Sequence, residues 1–358
     1  QAVLFDQPYY KIRVTDDCPN EIRAKRGHHK YPLGKWPMFH FEVSNANTKY
    51  TILHTSVDLL LLDAWSADLL MREIIKAYQG HTVKKPAYTF KQYISDEQKW
   101  HQKHPQFMEK AENYWASKLE NMPGGPALPY QKPLTEIKQP RFKRLRFSIS
   151  DEAIGVLTQK AERHQLSPTA VFATLFSKLL SYWSGGEALT LNMTLFNRLS
   201  LHPDVNEVMG DFTNVALISY FPEAEKSFLK EANEIQEQLW QAVEYRAKNG
   251  LELLRALNKN QPGKAVMPVV FTSLLSGESA DLENNFFPKE VKEVYAVSQT
   301  PQVVIDHQIY RRGDAYLINW DVVEEAFDCY EVNEIFGRYE KLINELPTSP
   351  HCKKKFEV

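Results

Sequence analysis

Leu53-His-Thr-Ser-Val-Asp58-Leu-Leu-Leu-Leu-Asp63-Ala-Trp-Ser66 reads as a strand running into a helix. Residues 50–57 have strand character, and beyond Ala64 the residues Leu69, Leu70, Ile74, Ile75 and Tyr78 recur at helical spacing. Asp58, Asp63 and Ser66 therefore stand at a strand-to-helix junction, with the leucines between the aspartates expected to anchor the turn in the core. Such junctions often carry sites, because polar side chains there can point into a cleft. Asp63 reads equally well as the cap of the helix, with Ser66 near its third position, and Asp58 as a turn residue.

Working outward, residues 39–43 and 50–57 form an expected antiparallel hairpin that feeds the junction helix. The first 38 residues carry no strong fold signal. His28 and His29, like His101 and His104, lack a nearby cysteine or carboxylate to complete a ligand set and read as solvated loop histidines. A helix is expected over 95–119, followed by Pro123-Gly-Gly-Pro-Ala-Leu-Pro129 with Pro133 and Pro140, the clearest linker in the chain. The domain boundary is placed there, giving an N-terminal lobe over 1–135 and a C-terminal lobe over 136–350.

Past the linker the pattern gives a strand over 141–150 and helices over 151–165 and 168–183, the latter capped by Ser167 with Pro168 at its first position. Strands over 188–196 and 215–221, a helix over 227–246, strands over 267–274, 302–310 and 316–320, and a helix over 332–346 follow. Helices mixed with largely antiparallel strands in two lobes define an α+β architecture.

The 358 residues are 43% hydrophobic, enough for a real core and about two domains of roughly 150 residues each. Lys plus Arg (43) nearly balance Asp plus Glu (45), so nothing electrostatic favours nucleic acid or an anionic membrane. Cys18, Cys329 and Cys352 are far apart and fit a reducing compartment better than a disulfide framework or a zinc site. Without a signal-like segment, and with the leucine run broken by Asp63, a soluble cytoplasmic protein is expected.

GxSxG, P-loop, GxGxxG and HExxH patterns are all missing. What remains is a set of polar residues at strand ends: Asp58 and Asp63, Asn192, Asn197 and Arg198, Gly210-Asp-Phe-Thr213, Thr272-Ser273, Gln299-Thr300, Asp306-His307-Gln308 and Asn319-Trp-Asp321. In order, Asp58-x4-Asp63-x2-Ser66, Leu191-Asn-Met-Thr-Leu-Phe-Asn-Arg198, His202-Pro203, Gly210-Asp-Phe-Thr213, Pro268-Val-Val-Phe-Thr-Ser273, Ser298-Gln-Thr-Pro-Gln-Val303 with Asp306, and Asn319-Trp-Asp321 resemble the heterocyclization (cyclization) domain of non-ribosomal peptide synthetases. Each motif alone is weak, but the whole series in family order across residues 40–345 is specific.

The resemblance implies two chloramphenicol-acetyltransferase-like lobes forming a V-shaped pseudo-dimer with a central tunnel, entered by the phosphopantetheine arms of upstream and downstream peptidyl carrier protein domains. Adjoining synthetase domains are expected as partners, with no cofactor or metal bound directly. Family members carry a further stretch ahead of the region matching Gln1, including an FPLTxxQ motif that is absent here, so the first lobe is expected to be incomplete at its N-terminus. Related condensation domains read HHxxxDG at the junction. Aligned on Asp63, the histidine tied to amide formation falls on Leu59 and the other on Asp58.

The implied activity is condensation of a carrier-bound acyl thioester with carrier-bound Cys, Ser or Thr, followed by cyclodehydration to a thiazoline or oxazoline. Its rivals are a condensation-only domain and a non-catalytic module that docks carrier proteins. Asp306 is the expected acid/base, desolvated enough to raise its pKa. Thr272 is expected to orient that carboxyl or the leaving oxygen, with help from Asn192. On the residues alone, Asp306 reads instead as a strand residue paired with Arg311 or Arg312. Asp63 is expected to pair with Arg198. Asp58, Ser66, Asp211 and Gln299 are expected to be architectural, and Asn319-Trp-Asp321 to bridge the lobes.

Overall fold

The computed structural model describes residues 9–46, 48–260, 267–275, 291–312 and 315–345. Two separate sheets organise them. In the first, β1 (Arg13–Thr15) runs parallel to β2 (Phe39–Ser44), and β2 pairs antiparallel with β3 (Ile52–Val57), as the hairpin reading expects. Helices α1 (Pro19–Arg26) and α2 (Ala64–Tyr78) belong to this half of the chain, and α1 packs against β3.

The single helix expected over 95–119 is instead two, α3 (Phe90–Lys103) and α4 (Pro105–Glu120). Pro105 has no N–H to give to the preceding turn, so one helix stops and the next starts with proline in its first turn.

The second sheet has six strands in the order β4-β9-β8-β7-β5-β6: β4 (Phe142–Ser150), β5 (Leu189–Phe196), β6 (Thr213–Tyr220), β7 (Val269–Ser273), β8 (Ile305–Arg312) and β9 (Ala315–Val323). β7 lies parallel to both β5 and β8, and the other pairings are antiparallel. The helices are α5 (Asp151–Arg163), α6 (Pro168–Trp183), α7 (Phe228–Glu244), α8 (Gly250–Asn260) and α9 (Cys329–Glu345). Arg312-Gly-Asp, between β8 and β9, lies partly outside the described residues, and the two strands pair in antiparallel register.

One face of this sheet is apolar. Leu145, Trp320, His307, Phe271, Met193 and Ala216 form a row across all six strands. Phe176 of α6 lies over that row, with its ring centroid 4.5 Å from His307 and 5.5 Å from Trp320. Val171, Phe172, Leu175, Phe176 and Leu180 of α6 are all buried, each contributing about 1.5–3 kcal/mol by removal from water. Ser167 caps the helix through the Ala170 N–H.

Packing and chain order divide the molecule at different places. Ala111, Trp115 and Leu119 of α4 belong to the core of the second sheet, and Trp115 donates its indole N–H to the Tyr245 carbonyl at 3.2 Å. The stretch after α4 follows the same half: the Pro123 and Gly124 carbonyls accept from the Thr190 hydroxyl and N–H. The polypeptide therefore crosses to the second sheet before the proline-rich stretch read as the linker.

Candidate active site

The other face of the six-stranded sheet is polar although largely buried. Cross-strand partners share a face, so Arg144, Asp321, Asp306, Val270, Asn192 and Leu217 form one row across it. Two residues along, Arg146, Asn319, Gln308 and Thr272 form the next, with Thr194 beside Thr272. Asp306, Thr272 and Asn192, distant in sequence, thus stand on adjoining strands of a single surface.

The hydrogen bonds correct the expected division of labour. The Thr272 hydroxyl lies 2.9 Å from that of Thr194, and it is Gln308 that holds Asp306, donating Nε2–H to Oδ2 at 3.0 Å. Nor is Asp306 the ion-pair partner of Arg311 or Arg312, which reach Asp151 (2.6 Å) and Glu293 (3.2 Å). Asp321 takes the salt bridge instead, with Arg144 bound at 2.8 Å through Nε and 2.5 Å through a terminal nitrogen.

Asp306 Oδ1 and Asn192 Oδ1 are buried without a hydrogen-bond partner. Burial, reinforced by the neighbouring Asp321 charge, pushes the Asp306 carboxyl up to about 6, while Gln308, Ser298 and Arg144 pull the other way. A carboxyl with such a value exchanges a proton readily near neutral pH. Asp306 is 5% and Thr272 9% exposed, and Asn192 is half-buried. On the opposite face His307 is buried, its pKa driven down to about 3, and it meets Tyr339 at 3.0 Å; it is a neutral core histidine.

Asn319-Trp-Asp321 does not bridge the two halves. It lies inside β9, with Asn319 accepting from Arg146 at 2.6 Å and Trp320 fully buried beneath. The segment around residues 293–299 makes the connection. Glu293 pairs with Arg146 and Arg312, the Ser298 N–H donates to Asp321 Oδ2 at 2.8 Å, the Arg23 guanidinium sits 5.4 Å from the Tyr295 ring centre, and Gln299 donates to the Gly27 carbonyl at the end of α1.

A second connection is the junction itself. Asp63 caps α2 through the Ser66 N–H (2.7 Å), accepts from the Phe212 N–H (3.2 Å) and meets Arg198 at 3.3 Å, so the capping and ion-pair readings both hold. The Ser66 hydroxyl joins Arg198 (2.8 Å) to Gly210, whose carbonyl it reaches at 2.8 Å. Arg198 also donates to the Val205 and Val208 carbonyls and lies 3.8 Å from the Phe212 ring centre. Tyr93 of α3 accepts from the Leu199 N–H and donates to the Asn197 carbonyl, closing the loop from below.

Asp58 and Asp211 hold turns, accepting from the N–H groups of Leu60 and Thr213, each at 3.0 Å. Of the leucines between the aspartates, Leu59 is 47% and Leu60 50% exposed, placed outward by the turn, whereas Leu61 and Leu62 are half-buried. Position 59, which the resemblance aligns with the condensation-domain histidine, is leucine.

Sequence reading passed over Arg144 and Arg146, and quoted Thr194 and Gln308 without a role. The available signal was the i, i+2 spacing of Arg144 and Arg146, Asn192 and Thr194, Asp306 and Gln308, and Asn319 and Asp321 within the expected strands. Among the described residues no group of three or more His, Cys, Asp or Glu is arranged to hold a metal ion. No helix there is long and apolar enough to cross a membrane.

Residues 11–357 match the sequence pattern of the Condensation domain. Pyochelin synthetase PchF of Pseudomonas aeruginosa is 30% identical over 365 aligned residues, covering 98% of this chain and 20% of its own length. Phenyloxazoline synthase MbtB of Mycobacterium tuberculosis is 29% identical over 294 residues, 80% of this chain and 20% of its own. The EpoB NRPS cyclization-docking bidomain of Sorangium cellulosum matches with a TM-score of 0.86 at 25% identity, over 97% of this chain and 72% of the solved one. The chain belongs to the condensation-domain family, in its heterocyclization-type branch. It spans a fifth or less of the length of the curated relatives it matches.

Proposed function

We propose that this chain condenses a carrier-bound acyl group with carrier-bound Cys, Ser or Thr and then closes a thiazoline or oxazoline ring with loss of water. The observation that carries the reading is the buried Asp306 carboxyl, with one oxygen held by Gln308 and the other unpartnered on the surface it shares with Asn192 and Thr272. The relatives support it: one is named for phenyloxazoline synthesis and a solved neighbour for cyclization. In this reading the two halves, built on the three-stranded and the six-stranded sheets, are chloramphenicol-acetyltransferase-like lobes that flank a tunnel. The phosphopantetheine arms of two carrier proteins, supplied by adjoining synthetase domains, deliver the substrates there.

In the first step the acceptor amine attacks the donor thioester carbonyl; a C–N bond forms, the C–S bond breaks, and the thiol leaves with the proton the amine gives up. With Leu59 where a histidine would act, positioning of the two arms supplies most of the rate. In the second step the acceptor side-chain thiol or hydroxyl adds to the new amide carbonyl, its proton passing to Asp306, while the carbonyl π electrons move onto oxygen. Asp306 returns the proton to that oxygen; the C–O bond breaks, the amide N–H proton passes to the departing hydroxide as the C=N bond forms, and one water leaves. Asn192 and Thr272 hold the oxygen as it leaves.

Reconstitution with an acyl-loaded donor carrier protein and cysteinyl, seryl or threonyl acceptor carriers tests the proposal by intact mass. A product one water lighter than the linear amide is expected with at least one acceptor. Linear amide alone would favour a condensation-only domain, and no transfer at all a docking module.

A further inference from the structure

Gln308 makes contacts that a structural side chain on this face would not need. Its Oε1 accepts from Arg144 at 3.1 Å, and its Nε2 donates to Asp306 Oδ2 at 3.0 Å and, more weakly, to Asp321 Oδ2 at 3.4 Å. The amide can sit only one way round. Reversed, its carbonyl would face two carboxyl groups and its NH₂ a guanidinium, which has no acceptor. Arg144 is itself fixed by two bonds to Asp321, and Asp321 by the Ser298 N–H, so the orientation is imposed through three strands.

We infer that Gln308 is a positioning residue: by occupying Oδ2 of Asp306 with a donated hydrogen bond, it confines the exchangeable proton to Oδ1, the oxygen left free on the Asn192–Thr272 surface. An O–H at Oδ2 would meet the Gln308 N–H donor to donor, so the protonated carboxyl carries its hydrogen on Oδ1, and the carboxylate keeps its open lone pairs there. The same oxygen thus takes the proton from the attacking thiol or hydroxyl and delivers it to the departing oxygen. This rests on the proposed cyclodehydration and names the residue that gives it direction.

The groups facing Asp306 are Gln308 on its own strand, Asp321 on β9, Arg144 on β4 and Ser298 on the connecting segment. Of these, Gln308, Ser298 and Arg144 stabilise the carboxylate, so removal of Gln308 must raise the Asp306 pKa. The test uses Gln308→Met, close in size but unable to hydrogen-bond, and Gln308→Glu, which adds a carboxylate. Both are assayed for ring and linear product across pH with the loaded carriers above, and Asp306 is titrated by carboxyl carbon NMR.

For Gln308→Met the ratio of cyclised to linear product should fall about tenfold, as expected for one lost bond to a charged group. The limb of the pH profile set by Asp306 should move upward from about 6; Gln308→Glu should move it in the same direction. An unmoved limb overturns the inference even where the ratio falls, because loss of packing slows turnover without shifting a titration. If Gln308→Met does not fold, the nearly isosteric Gln308→Glu decides alone. Asp306→Asn separates the two levels: rings formed without Asp306 defeat its proposed acid/base role, on which this inference rests, whereas rings lost there but normal in both Gln308 variants defeat only this inference.

Discussion

Replacing Asp306 with Asn should make the protein more stable, and by an amount that depends on pH. Burial and the Asp321 charge lift the carboxyl from 3.8 to about 6. Between these values the folded chain keeps a proton that the unfolded chain has released, so stability falls as pH rises through the window and levels off above it. At about 1.36 kcal/mol per pH unit, the ionised carboxyl costs about 3 kcal/mol at pH 8 and about half that at pH 5. Asparagine has no such cost, and its carbonyl can still accept from Gln308. Urea denaturation at the two pH values should therefore show the variant ahead by about 3 kcal/mol at pH 8, with the gap roughly halved at pH 5. A variant no more stable than the parent at pH 8, or a gap that does not change with pH, would refute the electrostatic account of this site.

The junction carries a second expectation: Arg198→Ala leaves the Asp63 carboxylate buried and unpaired, which should cost about 3–5 kcal/mol in denaturant unfolding. Gly210→Ala places a Cβ 2.3 Å from the Phe90 ring, so it should lower the melting temperature and speed proteolysis between α3 and the 197–212 loop; unchanged cleavage would show that the loop is not clamped. Leu59→His should leave amide formation within about twofold, because position 59 faces outward at 47% exposure and a side chain there gains little orientation toward the reacting atoms; a rate gain of ten or more would place that turn in the chemistry.

Elements whose period is set by burial were legible in the chain. Helix α6 has the bounds its Ser167 cap and apolar stripe predict, and β4 and β5 differ from expectation by a residue. Short or weakly patterned elements were not: β1 has three residues, and α8 begins at a glycine, Gly250, where a Cβ would meet the Val215 backbone. The strand expected from position 302 begins at Ile305, because Gln302 takes a left-handed backbone conformation (φ 66°). Leu59 and Leu60 misled because hydrophobicity alone does not say which way a turn faces.

For the site, the sequence motifs identified Asp306, Thr272 and Asn192 but not how they are wired. Pairing of β7 parallel to both β5 and β8 is a long-range choice with no local signature, and that register sets Thr272 opposite Gln308 rather than Asp306, whose carboxyl Gln308 reaches from two residues along the same strand. Likewise, nothing local announces that Arg144 lies opposite Asp321; only the register of β4 with β9 does. The polar i, i+2 pairs were visible, and their meaning waited on strand order.

The most direct test of the whole account is the mass of the carrier-bound product made by Asp306→Asn under conditions where the parent chain forms rings. The account predicts linear amide that retains its water, on a protein that is folded and more stable at pH 8. Ring formation at the parent rate would contradict it.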